Sequence, residues 1–170
     1  MRLNEGVEWA AHCAVVLAML PEGVTLPAAR LAEFHGVPGP YLAKSLQALT
    51  RAGIVESTSG RGGGYRLGRP AQDVSLLDVV RAIEGEEPLF RCTEIRRRGP
   101  AAASAGAYPA TCAIASAMWR AERAWEEELA RTTVADIAAR VTDQAPPAAV
   151  ERSVRWLTAV LGSRNPPGRP

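Results

Sequence analysis

The chain has 170 residues, 47% of them hydrophobic, and a formal net charge of +2 at pH 7. This length allows one ordinary hydrophobic core, with residues left for an additional helix or arm. So small a net charge does not by itself indicate nucleic-acid binding, and no apolar run is long enough to span a membrane. The three cysteines, an odd number, argue against a disulfide framework, so we expect a cytoplasmic protein.

The first part of the chain has the pattern of three helices followed by a glycine-tipped hairpin. The predicted helices cover about 4–20, 27–36 and 38–53, and the predicted strands cover 54–59 and 65–67. Pro27 suits a first helical turn, and Gly36 and Gly53 suit helix ends. Between the strands, "GRGGG" is a loop that needs unusual backbone angles. This order of elements predicts a winged helix-turn-helix.

The second part of the chain is predicted to be helical around one long loop. A short helix begins after Ser75, with Asp78 placed for a capping box, and residues 86–111 have no clear periodicity. A long helix follows at about 112–131, then a short helix at 133–141, a terminal helix at 148–162 and a disordered tail at 163–170.

An apolar stripe follows the long predicted helix. It comprises Ile114, Met118, Ala121, Trp125 and Leu129. The stripe could pack against its own domain. However, a helix of about 30 Å extends well beyond a small closed winged-helix domain, so we expect it to pair with a second protomer.

Four sequence segments carry a resemblance to a known family. "MRL", "YLAKSLQALTRAGIVES", "GRGGGYRL" and "SLLDVVRAIEG" resemble the Rrf-type (IscR/NsrR-like) winged-helix transcriptional regulators, over roughly the first 140 residues. The resemblance implies a cytoplasmic, homodimeric transcription factor that binds operator DNA, usually as a repressor, and not an enzyme. In many members, cysteines in the loop before the dimer helix bind an iron–sulfur cluster.

The fold class expected is therefore mainly α with a small β-wing: a winged helix-turn-helix plus a long dimerisation helix. We assign 1–85 to the DNA-binding domain, 86–111 to a cluster-binding loop, 112–143 to dimerisation helices, and 144–170 to a C-terminal helix and disordered tail.

The cysteine pattern departs from that of the cluster-binding members, which usually have three cysteines close together in this loop. Here the loop has only Cys92 and Cys112, twenty positions apart. Glu8 and His12 are four residues apart and share one face of the first helix. In the family's dimer that helix lies close to the cluster loop, commonly the partner's. We therefore predict a [2Fe–2S] cluster bound by Cys92, Cys112, Glu8 and His12, with the two pairs from different protomers.

Other interpretations of these residues stay open. Glu8 and His12 alone would form an exposed ion pair, and isolated cysteines are often small core residues. Cys13 is a competing ligand, although its position on the helix predicts burial. Zinc also accepts two thiolates, an imidazole and a carboxylate. His35 is expected to be a cap or a surface residue.

One segment of the chain is basic. Residues 38–69 contain five basic side chains and one acidic one, Glu56, and we expect the helix after Pro38 to enter the major groove. From the family's motif, Tyr41 contacts phosphate, and Lys44, Ser45 and Gln47 face the groove. The remaining candidates are Arg61 for the minor groove, Ser59 for phosphate, and Arg51 for phosphate or a helix cap.

We interpret the chain as a redox-sensing DNA-binding regulator. An alternative is a clusterless winged-helix regulator that senses by oxidation of Cys92 and Cys112, by zinc, or by a small ligand near Trp119 and Trp125. An adaptor that lacks DNA contacts is disfavoured by the basic wing. No nucleophile–base pair has a recognisable context for an enzyme.

Overall fold

The computed structural model describes residues 3–60, 62–100, 102, 104 and 106–162. The helices are α1 Glu5–Ala18, α2 Ala28–His35, α3 Gly39–Arg51, α4 Leu76–Glu84, α5 Ala113–Arg131, α6 Val134–Gln144 and α7 Pro147–Gly162; the strands are β1 Val55–Thr58 and β2 Gly64–Leu67. The fold class is confirmed as mainly α with a two-stranded wing. Arg61 and the tail predicted at 163–170 lie outside the described residues.

The helix-turn-helix is built from α2 and α3, which pack on each other, and α3 also packs on α1. Leu42, Leu46 and Leu49 recur at helical spacing on α3 and are each 0% exposed. Gly36 ends α2 in the left-handed region, with φ of 65°, and its N–H donates to the carbonyl of Glu33. This glycine allows the sharp change of direction between α2 and α3.

The wing is an antiparallel pair in which Val55 lies opposite Leu67 and Thr58 lies opposite Gly64. Leu26 adds a short bridge, because its N–H donates to the carbonyl of Tyr65 at 2.9 Å. A Cβ on Gly64 would lie 2.6 Å from the Leu26 carbonyl carbon, closer than non-bonded carbons approach. The backbone of β2 therefore lies directly against the start of α2.

The end of α5 is joined to the start of α4 by backbone hydrogen bonds. The N–H of Leu76 donates to the carbonyl of Thr132 at 2.8 Å, and the N–H of Val134 donates to the carbonyl of Val74 at 2.8 Å. Val134 is completely buried. The long helix is thus fixed to the winged-helix part of the fold at its C-terminal end.

The terminal helix α7 packs on the winged-helix part of the fold. Val160 is 9% exposed, and the rings of Trp156 and Phe34 have centroids 5.3 Å apart. Leu157 and Leu161 pack against the same core. Among the described residues, no helix combines the length and the apolar character needed to cross a membrane.

Candidate metal centre and nucleic-acid interface

The loop between α4 and α5 brings Cys92 and Cys112 together. Their Sγ atoms and a carboxylate oxygen of Glu94 all lie within 4.8 Å of one another. All three side chains are half-buried, and the Cys92 thiol donates to Oε1 of Glu94 at 3.4 Å. Two thiols and a carboxyl group at this separation form a potential metal-binding group.

Cys112 lies at the N-terminus of α5, immediately before its first residue. The backbone N–H groups of Ala115 and Ile114 point towards its sulfur and lower the pKa of the Cys112 thiol, and the charge of Arg96 acts in the same direction. This environment favours a thiolate, which is the form of cysteine that binds metals.

Glu94 is a residue of the candidate site that was not predicted from the sequence. Its φ of 49° is unusual for a non-glycine residue, and its carboxylate accepts a hydrogen bond from Arg96 at 2.8 Å. That hydrogen bond is the main reason why the pKa of Glu94 is lowered. Arg96 in turn lies 4.5 Å from the centre of the Tyr108 ring. The only signal in the sequence was that Glu94 is a carboxylate two positions after a cysteine. Because the basic run Arg96–Arg98 follows it, Glu94 has the pattern of an ordinary surface ion-pair partner.

Glu8 and His12 lie one turn apart on the exposed side of α1, as predicted. Neither belongs to the metal-binding group formed by Cys92, Glu94 and Cys112 within the described part of the chain. With Trp9, His35 and Val37 they line a separate surface depression. The structure of one protomer therefore does not bring the two predicted pairs of ligands together.

His35 is less exposed than expected for a cap or a surface residue. It is half-buried at the end of α2, and its ring centroid lies 5.6 Å from that of His12 and 5.1 Å from that of Phe34. Burial, followed by the nearby charge of His12, lowers the pKa of His35. Its role is thus to pack against neighbouring rings.

Cys13 is buried, as expected from its position on α1. It is 0% exposed, and burial raises the pKa of its thiol to about 12. A thiol in this environment stays protonated and inaccessible, so Cys13 does not compete as a ligand in this structure.

A polar surface lies where α3 meets α1. Tyr41, Lys44 and Arg51 line one depression together with Trp9. Tyr41 is 60% exposed, its ring contacts Trp9 edge-on at 6.5 Å, and Nζ of Lys44 lies 5.7 Å from its centre. In the described part of the chain, neither Lys44 nor Arg51 forms an ion pair with a carboxylate, so both charges are available to an anion.

The other predicted DNA contacts differ in accessibility. Gln47 and Ser59 are exposed. Ser45 is only 6% exposed, because it packs where α3 crosses α1: its Oγ lies 3.2 Å from the position that a Cβ on Gly6 would take. Ser45 thus supports the helix crossing, and it also lines the depression that contains Tyr41, Lys44 and Arg51. Its contact with the groove stays a prediction.

The apolar stripe of α5 divides into two halves. Ile114 is 68% exposed, Met118 is 44% exposed and Ala121 is also exposed. Trp125 and Leu129 are half-buried, and Trp125 lines a groove with Leu77 and Val80 of α4. The N-terminal half of the stripe is therefore the part left without apolar cover in one protomer.

The other face of α5 contacts its own loop. Nε1–H of Trp119 donates to the carbonyl of Phe90 at 3.3 Å, and Glu122 accepts from the N–H of Leu89 at 2.6 Å. Ala115 is completely buried on this face. These contacts position the loop that carries Cys92 beside the start of α5.

A helix-turn-helix followed by an antiparallel wing defines a winged-helix protein. A family model described as Rrf2, iron-dependent transcriptional regulator, matches residues 3–140. The chain belongs to this family. The YffB helix-turn-helix transcriptional regulator of Lactococcus lactis is 32% identical over 138 residues, which cover 81% of this chain and 87% of that protein. The chain is thus a transcriptional regulator and not an enzyme.

Solved structures agree with the fold. The cysteine regulator CymR of B. subtilis superposes with a TM-score of 0.66 and 21% identity, over 82% of this chain and 98% of that one. IscR of T. potens superposes with a TM-score of 0.63 and 21% identity, over 86% and 93%. At this level of identity the superpositions establish the fold alone.

Proposed function

We propose that this regulator senses redox conditions through a [2Fe–2S] cluster and binds operator DNA as a homodimer. Cys92 and Cys112 of one protomer are the thiolate ligands, and Glu8 and His12 of the partner are the others. The family description as iron-dependent supports an iron centre in this chain.

The observation that carries the proposal is the approach of Cys92 and Cys112 across twenty positions of sequence. Two thiolates on one tetrahedral ion lie about 3.8 Å apart when each metal–sulfur bond is about 2.3 Å. The two sulfur atoms lie within 4.8 Å of each other, a separation that leaves room for both to bind one ion. The lowered pKa of Cys112 favours its thiolate, and two cysteine sulfurs are the donors that an iron–sulfur group takes.

The second pair of ligands must come from a surface that a partner can reach. Glu8 and His12 meet this condition, because both side chains are exposed and both project from one face of α1. Ile114 and Met118, close behind Cys112 on α5, provide an exposed apolar surface for the partner beside the cysteine pair.

When bound, the cluster supplies one-electron redox chemistry. The residues of this chain connect it with DNA recognition. Trp9 lies between Glu8 and His12 in the sequence, and its ring contacts Tyr41 on α3. When the face of α1 that carries Glu8 and His12 moves, the contact between Trp9 and Tyr41 therefore transmits the movement to α3, which carries Lys44 and Arg51.

The first experiment is the visible absorption spectrum of protein purified without oxygen, before and after addition of dithionite. We expect a red-brown species that bleaches reversibly, with two irons per bound cluster. Glu8→Gln and His12→Gln should change this spectrum, while Glu22→Gln, an exposed control just beyond α1, should not. Protein that stays colourless and iron-free after reconstitution, or an operator affinity that is identical in both redox states, contradicts the proposal.

Zinc is a second candidate, and the position of Glu94 favours it. Cys92, Glu94 and Cys112 supply three ligands from one protomer, and a catalytic-type zinc site needs no more protein ligands than these. The protein would then be colourless and would bind one zinc per chain.

Glu94→Gln distinguishes the two metals. In the cluster proposal, this variant keeps the iron content and the spectrum, because Glu94 is not a ligand and accepts hydrogen bonds from Cys92 and Arg96. In the zinc proposal, Glu94→Gln lowers zinc affinity, while Glu8→Gln leaves it unchanged. Metal analysis of both variants gives opposite results for the two candidates.

A further inference from the structure

The terminal helix α7 lies outside the family domain. The family match ends at residue 140, whereas α7 spans Pro147–Gly162. Its inner face is nevertheless built into the DNA-binding domain, since Val160 is 9% exposed and Trp156 is half-buried. Although α7 is additional to the family fold, it contributes to the hydrophobic core of this protein. It therefore influences the positions of the elements that it contacts.

Four aromatic rings connect α7 with α1. Trp156 lies 5.3 Å from Phe34, Phe34 lies 5.1 Å from His35, and His35 lies 5.6 Å from His12. All these separations are typical of rings in contact. Phe34 and His35 form the last turn of α2, immediately before Gly36 begins the turn into α3.

We propose that Trp156 and Phe34 are positioning residues, through which α7 fixes the end of α2 and, through His35, the imidazole of His12. The part of this inference that makes His12 a cluster ligand rests on the proposed function. The contact series itself does not, because it is formed by the residues of one chain without a bound group.

The packing of the four rings explains how a movement of α7 is transmitted to His12. The Nε2 atom of His35 is buried and has no hydrogen-bond partner within the described residues, so no polar contact at that atom holds the ring. Its position is set by packing between Phe34 and His12. Removing the indole of Trp156 leaves Phe34 free to move towards the vacated volume, and His35 loses support on that side.

The effect should extend to DNA recognition. Gly36 separates α2 from α3 by a tight turn, in which the N–H of Val37 donates to the carbonyl of Ala32 at 3.0 Å. A displacement of the last turn of α2 therefore changes the orientation of α3 towards DNA. The terminal helix thus acts on operator affinity without contacting DNA.

The test uses the two histidines of the chain as reporters. In metal-free protein, each gives one imidazole Cε1–Hε1 cross-peak in a carbon–proton NMR spectrum, and His12→Gln and His35→Gln assign them. We expect Trp156→Ala to shift both peaks, and Trp156→Phe to restore them towards their wild-type positions. Val154→Ala is the matched control, because Val154 is on the same helix and is 56% exposed.

Operator affinity is the second measurement. We expect Trp156→Ala to weaken binding about tenfold, equivalent to about 1.4 kcal/mol, with Val154→Ala within twofold of wild type. Phe34→Leu tests the same contact from α2 and replaces Trp156→Ala if that variant does not fold. Folded variants at both positions with unshifted His12 peaks overturn the proposal.

Failure of the two proposals can be told apart. If His12→Gln leaves the visible spectrum unchanged, the proposed ligand set is wrong, but the NMR result on metal-free protein still decides the role of α7. If the spectrum depends on His12 and its peak does not respond to Trp156, the ligand set stands and the positioning role is wrong.

Discussion

The sulfur atoms of Cys92 and Cys112 lie within 4.8 Å of each other, although twenty positions separate the two residues. We predict that one equivalent of hydrogen peroxide joins them in an intramolecular disulfide in metal-free protein: both thiols are oxidised, and the peroxide is reduced to water. Peptide mapping should find the Cys92–Cys112 linkage, and Cys112→Ser should abolish it. A disulfide that contains Cys13 would contradict the structure.

Cys112 and Cys13 should differ strongly in reactivity. The pKa of Cys112 is lowered by backbone N–H groups, so its thiolate fraction is larger at neutral pH than that of an ordinary cysteine. Burial raises the pKa of Cys13 to about 12. We expect iodoacetamide to modify Cys112 in native metal-free protein at pH 7, and Cys13 only after denaturation. Mass spectrometry of the alkylated peptides measures both; rapid modification of native Cys13 would show that α1 is not packed as described.

The exposed cations of α3 should contribute to DNA affinity regardless of the DNA sequence. Lys44→Ala and Arg51→Ala each remove a charge that has no carboxylate partner in the described part of the chain. We expect weaker binding to all DNA, with a salt dependence reduced by about 0.9 for each phosphate that the variant no longer neutralises. Fluorescence anisotropy at several salt concentrations measures this slope. Arg131→Ala, which removes an ion pair with Glu128 at the far end of α5, is the control.

Gln47 should behave differently from these cations. Its exposed amide can pair with a base edge, so Gln47→Ala should cost about 1–3 kcal/mol at a specific base pair and little on unrelated DNA. Equal losses of affinity for operator and unrelated DNA would show that Gln47 contacts the phosphate backbone and not a base.

The exposed half of the α5 stripe should be required for dimerisation. Ile114→Glu and Met118→Glu place a charge where we expect the partner's apolar surface, and burying an unpaired carboxylate is costly. Light scattering should then detect monomers. Val154→Glu, a change of the same kind on α7, should leave the dimer intact. Dimers that persist in both α5 variants would exclude this face as the interface.

The start of α6 predicts an effect of pH on stability. The N–H and the hydroxyl of Thr133 donate to Asp136 and lower the pKa of its carboxyl group. Because the pKa is lower in the folded state, Asp136 stabilises the fold above its unfolded pKa, and this contribution disappears as the pH falls through the folded value. Asp136→Asn should therefore destabilise the protein at pH 6, and urea unfolding at successively lower pH should show this loss of stability shrinking below the ordinary pKa of an aspartate. A destabilisation that is the same at every pH would contradict this role of Asp136.

Local patterns were sufficient to predict the elements of the fold. The spacing of Leu42, Leu46 and Leu49 identified the buried face of α3, and Ser75 with Asp78 identified the start of α4, where the structure has a complete capping box. These features depend on residues within one or two turns of each other. For the same reason, the sequence could predict that Cys13 is buried.

Contacts between distant elements were harder to predict. The burial of Ser45 depends on Gly6 of α1, and the position of Glu94 depends on Arg96 in an aperiodic loop. The contact of Trp156 with Phe34 joins residues that no local pattern relates. The pairing of Glu8 and His12 with the cysteines is a hypothesis about two protomers, and a single chain offers no local signal for it.

The backbone hydrogen bonds between Val74 and Val134, and between Leu76 and Thr132, have a consequence for the order of synthesis. The buried Val134 that completes the packing of the DNA-binding domain is translated after the whole of α5. A nascent chain therefore cannot finish this domain before the ribosome has also made the helix proposed to join two protomers. An interrupted translation product ending before residue 134 would lack part of its core and be exposed to proteolysis, so it would not accumulate as a monomeric competitor for the operator.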